Sequence, residues 1–183
     1  NSSTGGNISF QQKADFTVGP NPNWVAIGDL DGDGRLDLVT ANWSSANISI
    51  LRNSSVRGTI NASSFAPKID FAIGNNPESV ALGELDGDGK LDLAVAHSGA
   101  SSGPHGNSLS ILRNTSTSGN ITLDAPVDFT TADTGNNDGP RDVTLSDLDG
   151  DGKLELVVAN LNSRVAIFRN ISTPGSLSSS SFA

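Results

Sequence analysis

The 183-residue sequence contains no cysteine, which excludes disulfide staples, thiolate-ligated zinc and any thiol nucleophile. It also has no run approaching roughly 18 consecutive apolar residues, so these residues hold no membrane-spanning helix. Bases are scarce: 11 Lys and Arg stand against 20 Asp and Glu, for a net charge of −9. That balance argues against holding nucleic acid or inserting at an anionic membrane. Amphipathic helical periodicity is missing throughout, and β-branched and small residues fill the apolar stretches. What is present suffices for a folded core: 35% of residues are hydrophobic, and 20 glycines supply turns. The chain opens on Asn1 rather than Met with no leader in view, so it reads as a processed or excised piece.

Self-similarity organises the rest. The stretch Ala26 to Val39 recurs as Ala81 to Ala94 and again as Thr144 to Val157. Asp15-Phe16, Asp70-Phe71 and Asp128-Phe129 repeat upstream; Ile50 to Asn53, Ile111 to Asn114 and Ile167 to Asn170 repeat downstream. The units are taken as 1–52, 53–113 and 114–169, with 170–183 as the start of a fourth repeat or a completing strand. Each holds four short strands between Gly, Pro, Asn and Ser clusters, in the second unit Ser64 to Gly74, Ser79 to Glu84, Leu91 to Ala96 and Ser108 to Arg113. Stretches such as Leu154 to Val158 are apolar on nearly both faces, as expected of a sheet between two others. The expectation is an all-β chain of three β-propeller-type blades, too few to close a propeller within one chain.

Each unit carries an acidic loop of the form Asp-x-Asp-x-Asp-Gly-x-x-Asp between two predicted strands. The acids are Asp29, Asp31, Asp33 and Asp37; Glu84, Asp86, Asp88 and Asp92; and Asp147, Asp149, Asp151 and Glu155. Four carboxylates within nine residues repel one another by about 1 kcal/mol per pair at 4 Å even in water, so a cation is needed to offset them. Oxygen-only ligands favour a hard ion. Alternating carboxylates, with a carbonyl from Arg35, Lys90 or Lys153 at the seventh position, suit the 6 to 8 oxygens that Ca²⁺ takes. Gly34, Gly89 and Gly152 at the sixth position permit a sharp turn with positive φ. An EF-hand would need an acid at position twelve, where Thr40, Val95 and Val158 stand, and flanking helices; the ninth acid is therefore expected to close the site. The bland alternative is that Asp-Gly pairs simply form solvated turns.

On Gly-Asp-Leu-Asp-Gly-Asp-Gly-Arg-Leu-Asp, residues 28–37, and its two relatives, the sequence resembles the FG-GAP/VCBS repeats of integrin α-subunit heads and many secreted bacterial proteins. The resemblance implies four-stranded blades with Ca²⁺ held between the first and second strands. Glu84 and Glu155 depart from the pattern by lengthening the side chain, which makes the second and third sites looser. Three bound Ca²⁺ would bring the formal charge from −9 to −3.

Open blade faces and an unpaired strand edge predict head-to-tail association with other copies, into a ring or a filament. Two readings of the ends stay open: the chain is a segment of a longer tandem array, or a leading strand near Ser9 to Val18 completes a neighbouring copy's last blade. Nine of the 18 asparagines lie in Asn-x-Ser/Thr sequons, about twice the number composition gives: Asn1, Asn7, Asn42, Asn47, Asn53, Asn61, Asn114, Asn120 and Asn170. They are candidate glycosylation sites; the alternative is turn residues copied with the repeat. Trp24 and Trp43 keep open a carbohydrate-binding or receptor-type propeller, and His97 and His105 have no partners that would make them general bases. The reading is a non-catalytic, extracellular, secreted or surface-bound calcium-binding module with structural or adhesive work. Glycans and cell-surface proteins are its further candidate partners. The alternatives are a lectin-like propeller or the accessory propeller of a larger secreted enzyme.

Overall fold

The computed structural model describes residues 5–10, 12–98, 107–131, 139–161 and 164–183; Asn1 and His105 lie outside these residues. Among the described residues there are eleven strands and no helix, in three antiparallel sheets. The first sheet joins β1 (Pro22–Gly28), β2 (Asp37–Asn42), β3 (Asn47–Leu51) and β4 (Ile69–Ala72) in chain order. The second repeats this with β5 (Pro77–Gly83), β6 (Asp92–His97), β7 (Ser108–Leu112) and β8 (Val127–Thr130). The third has β9 (Pro140–Ser146), β10 (Glu155–Asn160) and β11 (Arg164–Phe168). These are incomplete propeller-like blades, with β1 beside β5 and β5 beside β9, so the first strand of each sheet lines one common edge.

The blades are phased differently from the sequence units. The strand expected within Ser64 to Gly74, at the head of the second unit, is β4, and it closes the sheet before it: Asn47 pairs with Ala72 and Ile50 with Ile69. The chain changes sheets after β4, where Gly74 (φ 105°) and Asn76 (φ 50°) turn it toward β5. Hydrophobic alternation marks a strand but not which neighbour it joins. The leading segment Ser9 to Val18 forms no strand among its described residues.

Packing explains the strands that read as apolar on both faces. Every residue of β6 is buried. Leu93 and Val95 face the first sheet, in a cluster with Leu30, Val39, Ile48 and Ile50. Ala94 and Ala96, on the opposite face, join Val143, Leu156 and Val158 of the third sheet. Each large side chain so buried contributes about 1.5–3 kcal/mol.

Close approach of sheets requires glycine at two equivalent points, Gly28 against Leu82 and Leu91 and, more tightly, Gly83. A Cβ on Gly83 would lie 2.4 Å from Leu145 Cδ1 and 2.9 Å from Leu154 Cδ1 of the next sheet, while the third sheet carries Ser146 at the matching place. Gly83→Ala is therefore expected to destabilise the fold by about 1–3 kcal/mol through overpacking. Ser146→Ala, on an exposed position, should leave the urea unfolding midpoint within error of the parent.

Candidate metal centre

The three acidic loops connect the first and second strands of each sheet, and their backbone folds around the first acid. Asp29 Oδ1 accepts the Gly32 N–H at 2.9 Å and Oδ2 the Gly34 N–H at 2.8 Å. Asp147 does the same for Gly150 (2.7 Å) and Gly152 (3.0 Å). Glu84 accepts from Gly87 and Asp88 through one oxygen, the longer side chain meeting the fourth and fifth amides of the loop rather than the fourth and sixth. Gly34, Gly89 and Gly152 have φ of 84°, 82° and 88°, so the sixth-position glycine is required by the turn. The seventh residue recurs too: the N–H groups of Arg35, Lys90 and Lys153 donate to Asp33, Asp88 and Asp151 at 2.9, 3.0 and 2.9 Å.

This folding gathers carboxylate oxygens that are far apart in an extended chain. Ligand atoms of Asp29, Asp31 and Asp33 lie within 4.8 Å of one another; so do those of Glu84, Asp86 and Asp92, and those of Asp147, Asp149 and Glu155. The ninth acid is the most buried. Asp37 and Asp92 have no exposed surface, and Glu155 is 2% exposed. Each ties the loop to the strand ends: Asp92 Oδ1 accepts the Asn114 N–H at 2.8 Å and Oδ2 the Leu85 N–H at 3.1 Å, with Asp37 likewise bound to Asn53 (2.8 Å) and Leu30 (3.0 Å). One lone pair on each of these oxygens remains for a cation.

Two arginines at the end of the third strands reach into their loops. Arg113 donates to Asp86 Oδ2 at 2.6 Å and Asp88 Oδ2 at 2.8 Å; Arg169 donates to Asp149 at 2.8 Å and Asp151 at 3.4 Å. These carboxylates hold both guanidiniums above their ordinary pKa, the hydrogen bonds to Asp86 and Asp149 being the main cause. In the first loop Arg35 pairs with Asp33 at 2.8 Å. One guanidinium against four acids leaves each loop strongly negative. An all-oxygen donor set of this kind fits a hard divalent ion, and the three clusters could each hold one.

Two of the buried ninth acids, Asp37 and Asp92, are shifted by that burial. Burial raises Asp92 from the usual 3.8 to about 7, against the lowering effect of its two backbone hydrogen bonds, and burial likewise raises Asp37. A carboxyl with a raised pKa stays protonated in the folded state while the unfolded chain has ionised. Metal-free protein should therefore lose stability as pH rises from about 4 through 7 and level off above that window. A bound divalent ion displaces the proton, so calcium affinity should rise over the same range. Urea melts in EDTA at pH 5 and pH 8 check the first expectation; a metal-free protein more stable at pH 8 would contradict it.

The recurring asparagine after each third strand has a structural task. Asn114 Nδ2 donates to Leu30 O in the preceding sheet and to Leu91 O in its own, both at 2.9 Å. Asn170 bridges Leu85 O (3.0 Å) and Leu154 O (3.2 Å) in the same manner. Asn53 donates to Leu36 O at 2.8 Å. Asn114 and Asn170 are buried, as is Asn42, whose Nδ2 binds Asn47 and Ser49 at 2.8 Å. Asn47 and Asn53 are half-buried; Asn7, Asn61 and Asn120 are exposed. His97 is fully buried with Nδ1 3.2 Å from Asn75 O, and Trp24 and Trp43 are partly exposed on the first sheet.

Antiparallel sheets packed face to face, each with an acidic loop between its first two strands, define a propeller-type repeat protein. A family model for the FG-GAP-like repeat matches residues 33–95, from the fifth position of the first loop to β6, and this span carries an FG-GAP-like repeat. No curated protein matches the chain significantly.

Proposed function

We propose that the chain is a calcium-stabilised, non-catalytic structural module that works outside the cell, where FG-GAP-like repeats and millimolar calcium are both usual. The observation that carries this reading is the threefold recurrence of a carboxylate cluster in these loops, formed by the first, third and fifth acids in the first loop and by the first, third and ninth acids in the second and third. Calcium neutralises the loop and pins the two strands it joins, so binding free energy becomes folding free energy. Acids at positions one, three, five and nine, with the carbonyls of Arg35, Lys90 and Lys153, are the ligands in this reading. Among the described residues, Asn7, Asn61 and Asn120 are the exposed sequons, open to a glycan without disturbing a buried amide.

Work of this kind is structural or adhesive, through association of the chain with its own copies. No helix among the described residues is long and apolar enough to cross a membrane. A glycan array probed in 5 mM Ca²⁺, a calcium level of about that order being enough to fill extracellular sites, is expected to show no selective binding. Selective capture of one glycan class, lost on Trp24→Ala or Trp43→Ala, would favour a lectin-like propeller instead.

A further inference from the structure

The two contacts between sheets follow one rule, and both outer sheets keep the matching halves unused. Leu30, Ile48 and Ile50 of the first sheet, and Leu85, Leu109 and Ile111 of the second, are at most 2% exposed because the next sheet covers them. Their counterparts in the third sheet, Leu148, Val165 and Ile167, are 53–66% exposed. On the facing side, Val80 and Val143 are at most 3% exposed beneath the preceding sheet, whereas the counterpart Val25, with Ile27 and Leu36 beside it, is 55–59% exposed. The third sheet therefore presents the same trailing face, and the first the same leading face, that meet twice within the chain.

Polar groups repeat the pattern. Ser79 Oγ accepts the Val143 N–H of the next sheet at 3.1 Å. The residue in the Ser79 position of the third sheet is Asp142, whose Oδ1 is buried without a hydrogen-bond partner, and the donor in the Val143 position is Val25. Asn114 and Asn170 each bridge two carbonyls, one in the preceding sheet; Asn53 holds only Leu36 O, and the matching second acceptor is Leu148 O. The third loop is uncovered as well. Gly119 donates to Asp31 Oδ2 at 2.8 Å and Gly175 to Asp86 O at 2.7 Å from the sheet that follows, and the equivalent glycine for Asp149 is Gly58.

A displaced strand completes the match. Among the described residues nothing pairs with the outer edge of β11, whereas β3 and β7 pair with β4 and β8 there. Lys13 to Val18 aligns with Lys68 to Ile73 and Pro126 to Thr131 on the shared Asp-Phe, and Ala14, Asp15, Phe16 and Val18 line one cavity with Trp24, Val25 and Leu38 of the first sheet. Phe16 packs edge-on against Phe65 at 4.9 Å, as Phe129 of β8 packs against Phe182 at 5.3 Å. Gly19 N–H reaches Ser49 Oγ at 3.2 Å, much as Ile73 O meets Ser110 Oγ. The segment stands where the fourth strand of a preceding sheet would stand.

We infer that two copies of this chain join head to tail, the trailing face of one packing on the leading face of the next, with Lys13 to Val18 of the second copy pairing with β11 of the first as its fourth strand. This inference deepens the structural reading above by naming the partner and the register, and rests on it for the purpose only. In that register Ile167 faces Ala14, as Ile50 faces Ile69 and Ile111 faces Val127. One internal bond is not reproduced: Ser49 and Ser110 bind Asp70 and Asp128, but Ala166 faces Asp15. The junction is accordingly weaker than the internal contacts and assembles with rising concentration.

The absence of native cysteine makes the register directly testable. The Ala14→Cys/Ile167→Cys chain, oxidised mildly in Ca²⁺ and run on a non-reducing gel, should give a ladder of covalent multimers, because facing residues on antiparallel strands lie within disulfide reach. Thr17→Cys/Ile167→Cys should give none. Light scattering of the parent should show masses above one 18.7 kDa chain that grow with concentration, and Leu148→Asp, on a residue exposed in the single chain, should return it to the monomer. A parent that stays monomeric throughout, or a ladder equally strong from the out-of-register pair, overturns the junction. Calcium-dependent melting is read separately: a monomer that calcium stabilises overturns the junction alone, and an in-register ladder from a protein indifferent to calcium supports the junction while overturning the calcium reading.

Discussion

Adding 10 mM Ca²⁺ to metal-free protein is expected to raise its melting temperature by about 10–30 °C, an effect summed over three sites of which the third contributes least. With dissociation constants on the order of 10⁻⁴ to 10⁻³ M, as in extracellular calcium modules, each site adds about 1.4–2.7 kcal/mol at that concentration, and the three together about 4–8 kcal/mol. For a chain of this size each kcal/mol shifts the transition by roughly 2–4 °C. Magnesium should give much less, since it demands near-octahedral geometry and gives up water reluctantly. Asp92→Ala should remove about a third of the calcium response, because it deletes both a cluster oxygen and the tie from the loop to Leu85 and Asn114. A melt that ignores calcium and EDTA alike would contradict the account.

The second large effect belongs to Asn114. Its amide joins the carbonyl of Leu30 to that of Leu91 across the first two sheets, and its Oδ1 also accepts the Ser116 N–H at 2.9 Å. Asn114→Ala strands these groups in a buried place at about 1–3 kcal/mol each, partly relieved by relaxation, so a loss of about 2–5 kcal/mol and 5–15 °C is expected. Asn53→Ala removes the bond to Leu36 O and the Ser55 N–H bond to Oδ1, both at 2.8 Å and neither fully buried, but no bond to another sheet, and should cost about 0.5–1.5 kcal/mol. Thermal melts of the two variants side by side make the comparison. Equal losses would mean that the bridge between sheets is not what stabilises the chain.

Much of the fold was legible because its causes are local. Apolar alternation, the missing helical period and the glycines that need positive φ all act within a few residues, and the all-β class and the acidic loops between first and second strands follow from them. The phase of the blades was not legible. Ile69 to Ala72 has the pattern of a strand in either sheet, and only the pairing with β3 decides. The recurrence of Asn53, Asn114 and Asn170 was visible, but a sequon and a hydrogen-bond clamp leave the same trace in a sequence; burial and the two carbonyl acceptors separate them. Arg113 and Arg169 were equally visible as repeated residues, yet their reach into the loops depends on the end of β7 and β11 lying beside Asp86 and Asp149, a contact made over some twenty or more residues of chain.

The loops also differ in ways that chain position explains. Asp31 and Asp86 are buried, but the side chain of Asp149 is 41% exposed, since no following sheet covers the third loop. The third site is thus the one where solvent competes most with the ion, and calcium should fill it last.

The most direct test of the central claim is a count of calcium ions by anomalous diffraction from crystals grown in millimolar Ca²⁺. One peak is expected in each of three loops, bounded by Asp29, Asp31 and Asp33, by Glu84, Asp86 and Asp92, and by Asp147, Asp149 and Glu155. Loops free of anomalous density, with their acids turned to solvent or satisfied by Arg113 and Arg169 alone, would contradict it.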